Sequence, residues 1–205
     1  MREFNVAVVG ATGAVGEEIL QILEEMDIPV KNILPLASAN SAGSHVQFKG
    51  KNVTVVELTE TVFQEHSVEI ALFSAGGSIS EKFAPHAAKA GAVVIDNTSH
   101  FRMDEKVPLV VPEVNPEDIK NWRETGIIAN PNCSTIQMVQ ALKPLDLEFG
   151  IKRVDVSTYQ AVSGAGKVAM EELMGQNRDL LNFNFEDTKT EVFPHKIAIR
   201  SEERR

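Results

Sequence analysis

The sequence predicts an α/β fold built on a doubly wound parallel sheet, and three observations support this class. Short apolar runs alternate with amphipathic stretches at helical spacing, which is the order expected of βαβ units. Several of these runs are apolar throughout, as in strands that are buried on both faces of a parallel sheet. A glycine-rich turn also joins the first apolar run to the first amphipathic stretch.

The individual elements follow from their patterns. Strands are predicted where apolar or β-rich runs meet turn residues, at 5–10, 33–37, 53–58, 68–74, 92–96, 109–111 and 153–159, with a further extended element at 192–199. Helices are predicted where apolar residues recur every three or four positions, at 15–25, 80–90, 133–145 and 167–176. Ser80 is the predicted N-cap of the second helix, and Gly91 is its predicted C-terminal stop. This order predicts a first domain over residues 1–130 and a second over 131–205.

Composition and charge limit the partners. The chain has 205 residues, a formal net charge of −9 and one cysteine. An acidic chain without a basic run is a poor ligand for nucleic acid or an anionic membrane. No stretch approaches the roughly 20 apolar residues that a membrane span needs. A single cysteine excludes an internal disulfide, so we expect a cytoplasmic location.

The glycine-rich turn has the spacing Gly-x-x-Gly-x-x-Gly over Gly10, Gly13 and Gly16. In a Rossmann-like domain, such glycines allow a tight turn, close approach of a pyrophosphate and close packing of helix on strand. The helix N-terminus supplies N–H groups and partial positive charge for phosphates. A plain strand–turn–helix connection is the alternative. Three glycines in register between a strand and a helix favour a nucleotide site.

The end of the second strand bears on the choice of nucleotide. An NAD site usually places Asp or Glu there to hold the ribose 2′-OH. The segment 36–41 contains no acid, so nothing in it repels a 2′-phosphate, and Ser38 and Ser41 can donate hydrogen bonds to one. No arginine is present in it either. We expect NADP, with an ordinary polar loop as the alternative.

The single cysteine, Cys133, follows Asn-Pro-Asn at the start of a predicted helix. The positive end of a helix dipole favours a thiolate, which is the nucleophilic form. The alternative is a small buried hydrophobic residue. A nucleotide domain just upstream favours the functional interpretation, because a nicotinamide and a thiolate together suggest aldehyde oxidation or acyl reduction through a thioester.

Three further features can serve such a site. Ser163 and Gly164 open a glycine-rich turn that can present N–H groups to an oxyanion or a carboxylate, although a plain turn is the alternative. Gln160 can hydrogen-bond a carbonyl, or it can be a surface glutamine. Arg102 follows a buried strand on the edge where ligands bind in such folds, and it can hold a phosphate or remain solvated.

Together these motifs resemble the aspartate-semialdehyde dehydrogenase family. The matching segments run in family order along the chain: Gly-Ala-Thr-Gly-Ala-Val-Gly, Leu-Ala-Ser-Ala-Asn-Ser-Ala-Gly, Phe-Ser-Ala-Gly-Gly-Ser, Asp-Asn-Thr-Ser-His-Phe-Arg, Val-Pro-Glu-Val-Asn, Asn-Pro-Asn-Cys-Ser-Thr, Thr-Tyr-Gln-Ala-Val-Ser-Gly-Ala-Gly and Phe-Pro-His-Lys. The related N-acetyl-glutamyl-phosphate reductases share the fold and the chemistry. They usually carry Pro-Gly-Cys-Tyr at the nucleophile, where this chain has Pro-Asn-Cys-Ser.

The resemblance implies a reaction and a set of roles. Cys133 attacks the acyl phosphate of β-aspartyl phosphate, Arg102 and Asn132 hold the phosphate, and NADPH reduces the thioester to aspartate semialdehyde for lysine, threonine and methionine biosynthesis. Gln160 orients the acyl intermediate, and Ser163 and Gly164 belong to the substrate site. The implied cofactor-binding residues are Gly10, Thr12, Gly13, Ala14, Val15, Ser38, Ser41, Ser74, Gly76 and Gly77. Members of the family are homo-oligomers, and their second domain is an α+β catalytic and dimerisation domain.

Two departures from the family qualify these expectations. Asn40 stands where the family commonly has an arginine. Family members also continue past residue 205 into a part that carries the catalytic histidine and an arginine for the substrate carboxylate. None of the five histidines here matches that histidine motif. We therefore expect little activity from these residues alone. A non-catalytic nucleotide-binding remnant, or a partner of an intact copy, is the alternative.

Overall fold

The chain divides into two units, Met1–Ile151 and Lys152–Arg205. The structure is a computed structural model, and it describes residues 2–184 and 188–198. The end of the extended element expected at 192–199 and the polar tail after it lie outside the described residues. The domain boundary expected at residue 130 stays a prediction. No helix within the described ranges is both long and apolar enough to cross a membrane.

A six-stranded parallel sheet organises the first unit, as the alternating pattern predicted. The strands and α-helices of the unit are β1 Phe4–Val9, α1 Ala14–Glu25, β2 Val30–Ala37, β3 His45–Phe48, β4 Lys51–Thr54, β5 Val56–Glu57, α2 Val62–Glu65, β6 Ile70–Phe73, α3 Gly77–Lys89, β7 Val93–Asp96, β8 Ile127–Ala129 and α4 Cys133–Phe149. Two 3₁₀ helices, His100–Met103 and Pro116–Glu124, lie between β7 and β8. The strand order of the sheet is β5-β2-β1-β6-β7-β8, and every neighbouring pair is parallel. The order reverses between β1 and β6, which is where such sheets form a crevice for ligands.

The burial of Val6–Val9 in the central strand β1 explains why these four residues are all apolar. Successive side chains of a strand point to opposite faces of the sheet. Val6 and Val8 therefore enter a core that includes Leu20 of α1, whereas Ala7 and Val9 enter the core on the other face. These four residues of β1 are at most 2% exposed. A strand covered on both faces has no position at which a polar side chain is solvated, so the pattern of alternation disappears.

Close contact between backbones joins β1 to α1. Gly10 has φ +88°, a left-handed conformation that glycine adopts without strain. A Cβ atom at Gly16 would lie 2.1 Å from the carbonyl oxygen of Gly10 and 2.8 Å from the Cα atom of Ala11. Since no side chain fits in that space, the third glycine allows the helix to lie directly on the end of the strand, as the motif predicted.

Glu69 ties together three strands at the amino edge of the sheet. Its backbone N–H donates to the carbonyl of Asn5, and its own carbonyl accepts from Val93. Its carboxylate accepts from the backbone N–H of Asn5 at 3.1 Å and from the guanidinium of Arg2. These bonds favour the charged form, so the N–H of Asn5 first and Arg2 second hold the pKa of Glu69 below its usual value.

The strand expected at 53–58 is wrong as a single element. Lys51–Thr54 pairs antiparallel with His45–Phe48, whereas Val56–Glu57 joins the parallel sheet beside β2. Lys49 and Gly50 connect the hairpin, and both have positive φ, 48° and 69°. Two such residues form the kind of turn that matches the twist of a hairpin. The sequence signal was weak because lysine, rather than asparagine or aspartate, precedes the glycine.

Helix α3 begins earlier than the sequence suggested. The prediction that Ser80 is its N-cap is wrong, because Gly76 caps the helix and has φ +99°. Ser80 lies inside α3, is fully buried and donates its hydroxyl to Oδ1 of Asp96 at 2.8 Å. The cap is backbone alone, so no side-chain signal marked the start. The expected stop at Gly91 is confirmed by its φ of +96° just after the helix.

The strand expected at 109–111 is reduced to a single parallel bridge between Leu109 and Ala129. Pro108 precedes this bridge and cannot donate a ladder hydrogen bond. The N–H of Val111 turns instead to the side chain of Asn115, whose Oδ1 accepts it at 2.8 Å. The segment therefore leaves the edge of the sheet after one residue pair.

The second unit contains a 3₁₀ helix, Val162–Ala165, and the helix α5, Lys167–Leu181. The strand expected at 153–159 is wrong, because the segment has no regular structure and no strand among the described residues pairs with it. A strand needs a neighbour to satisfy its backbone groups.

The segment 192–198, also expected to be extended, forms no strand. It donates to α5 instead: the N–H of Val192 bonds to Glu172, and the N–H groups of Ile197 and Ala198 bond to Oε1 of Gln176. Side chains of α5 thus accept three N–H groups of this segment that would bond to a neighbouring strand if the segment lay in a sheet.

We predict that Gly16→Ala destabilises the first unit by about 1–3 kcal/mol or more, because its methyl group must displace backbone rather than a side chain. The single tryptophan, Trp122, lies in this unit and reports its unfolding in denaturant. Gly175→Ala is the matched control. It places the same methyl group in helix α5 of the second unit, where nothing lies within 4 Å, and should leave the unfolding of the first unit that Trp122 reports unchanged. Equal stability of the Gly16→Ala protein and the unsubstituted chain would contradict the close-packing argument.

Candidate functional site

The carboxyl edge of the sheet gathers most of the residues singled out from the sequence. Because the strands are parallel, the turns after them all emerge on the same edge. Gly10 follows β1, Ser38 follows β2, Ser74 follows β6, and the turn that begins at Asn130 follows β8. With strands about 4.8 Å apart, β8 lies about 14 Å from β1 along this edge. The edge is therefore the candidate site of the first unit.

The glycine turn forms an open cradle at the start of α1. Gly13 is the N-cap of this helix and, having no side chain, makes no capping bond. The first-turn N–H groups of a helix have no partner within it, so a phosphate can accept from them. Ala14 and Val15 are exposed and Thr12 is half-buried, so this end of the helix is reachable. A Cβ atom at Gly10 would lie 3.0 Å from that of Ala75, which shows that the turns after β1 and β6 touch. These residues fit a dinucleotide pyrophosphate.

Ser38 and Ser41 share one turn after β2. The carbonyl of Ser38 accepts from the N–H groups of Ser41 and Ala42 at 2.9 and 3.0 Å. Gly43 then donates to the carbonyl of Val55 at 2.9 Å, which holds the turn against the β3–β4 hairpin. Ser38 is exposed and Ser41 half-buried. The structure thus places both hydroxyl groups in the turn after β2, the strand that pairs with β1 beside the glycine turn.

Ser74, Gly76 and Gly77 lie between the turns after β1 and β7. The hydroxyl of Ser74 donates to the carbonyl of Val9 at 3.1 Å, which ties the end of β6 to the end of β1. Gly76 is exposed, and a Cβ atom at Gly77 would lie 3.8 Å from that of His100. These three residues line the centre of the carboxyl edge.

Arg102 makes contacts that its sequence position did not reveal. Its Nε donates to the carbonyl of Asn130 at 2.9 Å, and its Nη2 donates to the carbonyl of Asn97 at 3.0 Å. The guanidinium therefore links the turns after β7 and β8. A guanidinium has five N–H donors, so two bonds leave others for an anion. The side chain is half-buried rather than fully solvated.

Cys133 is the first residue of α4, and its thiol is exposed. The alternative of a small buried hydrophobic residue is therefore wrong. Oδ1 of Asn132, the N-cap, accepts from the N–H of Ser134 at 3.0 Å. Pro131 before it is buried. The thiol accordingly lies at the start of a helix whose first turn is capped by Asn132, which follows the buried Pro131.

The second unit carries the other predicted site residues. Gln160, Ser163 and Gly164 are all exposed, and the last two lie in the 3₁₀ helix. Gly166, with φ +94°, then caps α5. Within the described residues, no group of three or more His, Cys, Asp or Glu side chains is placed to hold a metal ion.

Sequence reasoning missed the polar residues that support the edge. Asp96 is fully buried, and its carboxylate accepts from the hydroxyls of Ser80 and Thr98 and from the N–H of Thr98. Asn97 and Asn130 pair through their side-chain amides at 2.7 Å. The signal available was a polar Asp-Asn-Thr run directly after a buried strand. The partner of each residue lies on another element and could not be inferred from the run alone.

Comparison with known families matches both units. The model described as the semialdehyde dehydrogenase NAD binding domain matches residues 5–122, and the one described as the semialdehyde dehydrogenase dimerisation domain matches residues 142–199. The first match covers the glycine turn and most of the parallel sheet. The first unit is thus an NAD-binding domain of the dehydrogenase type.

Curated and solved relatives agree with these matches. The aspartate-semialdehyde dehydrogenase of Campylobacter jejuni is 63% identical over 95% of this chain, and aspartate-semialdehyde dehydrogenase 2 of Vibrio cholerae is 56% identical over 96%. The crystal structure of the Vibrio cholerae enzyme II complexed with ASA superposes with a TM-score of 0.90 at 54% identity, over 98% of this chain and 58% of that one. The chain belongs to the semialdehyde dehydrogenase family. It spans 57% of the length of either curated relative.

We predict that Asn132→Ala lowers the free energy of unfolding by about 1 kcal/mol, because it removes the N-cap acceptor of α4. Asn132→Asp is the matched control, since its carboxylate keeps an acceptor beside the N–H of Ser134 and favours the positive end of the helix. Denaturant unfolding followed by circular dichroism measures both variants. If Asn132→Asp loses as much stability as Asn132→Ala, the capping bond is not what holds this end of α4.

Proposed function

We propose that these residues are part of an enzyme that carries out the NADP-dependent reductive dephosphorylation of β-aspartyl phosphate to aspartate semialdehyde, through a thioester on Cys133. One observation carries the proposal: an exposed thiol and an open, uncapped dinucleotide cradle lie on the same carboxyl edge of one parallel sheet. The identity to proteins named aspartate-semialdehyde dehydrogenase, 54–63% for several relatives, supports this substrate over others that suit the same chemistry.

The chemistry begins at the thiol. The sulfur of Cys133, as thiolate, attacks the acyl carbon, so that a C–S bond forms as the C–O bond to phosphate breaks. Phosphate leaves with the bonding electron pair, and the N–H groups of Arg102 that do not bond to carbonyls offset its charge. When bound, NADPH supplies the hydride that reduces the acyl group to the aldehyde. Cys133 then loses its C–S bond and returns as thiolate.

The nucleotide preference rests on the turn after β2. Ser38 and Ser41 supply hydroxyl donors there, and segment 36–41 holds no carboxylate to repel a 2′-phosphate. A related crystal structure, the Candida albicans enzyme with NADP, is 27% identical to this chain with a TM-score of 0.60. The residues proposed to hold the rest of the cofactor are Gly10, Thr12, Gly13, Ala14, Val15, Ser74, Gly76 and Gly77.

The remaining assignments extend the proposal to the whole protein. We propose that Asn132 contacts the substrate phosphate beside Arg102. Gln160, Ser163 and Gly164 in the second unit stay predicted substrate-site residues. The match to a dimerisation domain supports a homodimer, and the reaction class supports a role in cytoplasmic amino-acid biosynthesis leading to lysine, threonine and methionine. No nucleic acid or membrane partner is proposed.

We predict that the chain binds NADPH and that Gly13→Glu weakens binding at least tenfold, or about 1.4 kcal/mol. The new carboxylate would stand where the pyrophosphate approaches the helix N-terminus, and like charges repel there. Gly175→Glu is the matched control because it adds the same charge to α5 in open space. Calorimetric titration of NADPH and NADH measures affinity and preference. Unchanged NADPH affinity in Gly13→Glu would remove the glycine turn from the site.

We also predict that β-aspartyl phosphate acylates Cys133 in the absence of nucleotide, because thioester formation needs no hydride. Intact-protein mass spectrometry detects the adduct, and hydroxylamine should release it, as expected of a thioester. Cys133→Ala is the control and should remain unmodified, since the chain has no other cysteine. Persistent labelling of Cys133→Ala would place the reaction on another residue and contradict the proposed nucleophile.

A further inference from the structure

Three polar side chains join the turns after β7 and β8. Nδ2 of Asn130 donates to Oδ1 of Asn97 at 2.7 Å. Arg102 lies against the same two residues and donates to both of their backbone carbonyls, at 2.9 and 3.0 Å. All three residues are half-buried, so water screens these bonds less than it would on an open surface. We refer to Asn97, Arg102 and Asn130 as the amide bracket.

Each residue between β8 and the thiol is restrained, and the amide bracket holds the first of them, Asn130. The N–H of Asn130 donates to the carbonyl of Asp96 at 2.8 Å, its carbonyl accepts from Arg102, and its side chain bonds to Asn97. Pro131 has a fixed φ and a buried ring. Asn132 is held by its capping bond to Ser134. The path from the sheet to Cys133 therefore has no unrestrained residue.

The other end of the amide bracket is anchored in the core. The N–H of Asn97 donates to the carbonyl of Phe73, the last residue of β6, at 2.9 Å. Its neighbour Asp96 is fully buried and accepts from Ser80 of α3 and from Thr98. Asn97 thus belongs to the rigid part of the sheet, and Asn130 belongs to the turn that carries the thiol. The bond between the two amides fixes the turn to the sheet.

We propose that Asn97 and Asn130 are positioning residues for Cys133, and that Arg102 couples this position to the anion site. The proposal rests on the function proposed above. It adds that Arg102, while offering its other N–H groups to the phosphate, holds the carbonyl three residues before the nucleophile. A phosphate on Arg102 and a correctly placed sulfur are thereby parts of one hydrogen-bonded unit.

The chain provides a matched pair of amides elsewhere on the same sheet. Nδ2 of Asn32 donates to Oδ1 of Asn5 at 2.9 Å, and the two residues are register partners on β1 and β2. This pair stands near the amino edge, where β1 begins, opposite the edge that carries Cys133. Removing its donor changes the same kind of bond without touching the turn of the nucleophile.

The experiment compares three substitutions that each replace one amide by a carboxylate. Asn130→Asp removes the donor of the amide bracket and sets two acceptors against each other. Asn97→Asp adds the same charge at the same place but keeps the acceptor, so the bond to Nδ2 of Asn130 survives. Asn32→Asp removes the donor of the control pair. Each variant is made in the 205-residue chain.

Two readouts need neither substrate nor nucleotide. Cys133 is the only thiol, so its rate of alkylation by iodoacetamide is read without background. The NMR signal of the Arg102 Nε–H reports, through its hydrogen exchange, whether the guanidinium still bonds to Asn130. Thermal unfolding of each variant records the loss of stability separately.

We expect Asn130→Asp to slow alkylation and to speed exchange of the Arg102 Nε–H, each by about fivefold, the equivalent of one ordinary hydrogen bond. The reaction slows because the N–H groups at the start of α4 no longer stand in fixed positions around the sulfur. Asn97→Asp and Asn32→Asp should stay within about twofold of the unsubstituted chain in both readouts. If Asn97→Asp keeps the alkylation rate and the slow exchange of the Arg102 Nε–H, the hydrogen bond itself is responsible, because a general loss of stability would change both readouts.

Three results would overturn the proposal: no change in Asn130→Asp, equal slowing in Asn97→Asp, or equal slowing in Asn32→Asp. The second would show an effect of charge alone, and the third an effect of stability alone. If Asn130→Asp does not fold, Asn130→Ala removes the donor without adding charge and is expected to give the same slowing. Acylation by β-aspartyl phosphate tests the proposed function separately. Failure of acylation would contradict the proposed function but not the positioning of Cys133, and an unchanged alkylation rate in Asn130→Asp would contradict the positioning but not the proposed function.

Discussion

Parallel pairing of the strands is the constraint on which the rest of this structure depends. Because β1 pairs in parallel with β2 and β6, the chain must cross over a face of the sheet between one strand and the next. Crossovers on both sides of the sheet cover both of its faces. The carboxyl ends then emerge together. Turns that are far apart in sequence, such as those beginning at Gly10 and Asn130, consequently share one edge. The candidate site exists because of this topology, and no single motif could create it.

Polar side chains at that edge hold in place the loops that have no regular secondary structure. The buried carboxylate of Asp96 has no cationic partner among the contacts that the structure describes, but it accepts three hydrogen bonds. A buried polar group is tolerated when such bonds replace its hydration. Asn97, Arg102 and Asn130 continue the same network towards Cys133. The support of the proposed nucleophile is therefore made of side-chain amides and backbone carbonyls rather than of packed apolar groups.

Helix α4 carries an exposed apolar surface, and the polar network at the carboxyl edge does not cover it. None of its residues is buried, and Leu147 and Phe149 are 74% and 78% exposed. Its first turn follows Asn130, which bonds to the turn after β7, and the buried Pro131. Cys133 and the N-terminus of α4 are therefore tied to the sheet through the residues that precede the helix. The remainder of its apolar face lies in the region that matches the dimerisation domain from residue 142.

The sequence by itself determined the fold class, the glycine turn and the start of α4, because each depends on local features. Apolar runs, three spaced glycines and an Asn-Pro-Asn-Cys turn are read within a few residues. The tertiary structure decided what depends on a distant partner. Ser80 proved to be a buried donor to Asp96 rather than a cap, and segment 53–58 split between a hairpin and the sheet. Segment 153–159 remained without a strand partner among the described residues, although its alternation predicted one. Arg102, expected at a phosphate, bonds to two carbonyls brought to it by β7 and β8. A local pattern specifies what a residue is able to bond, but only the folded chain supplies the group that bonds to it.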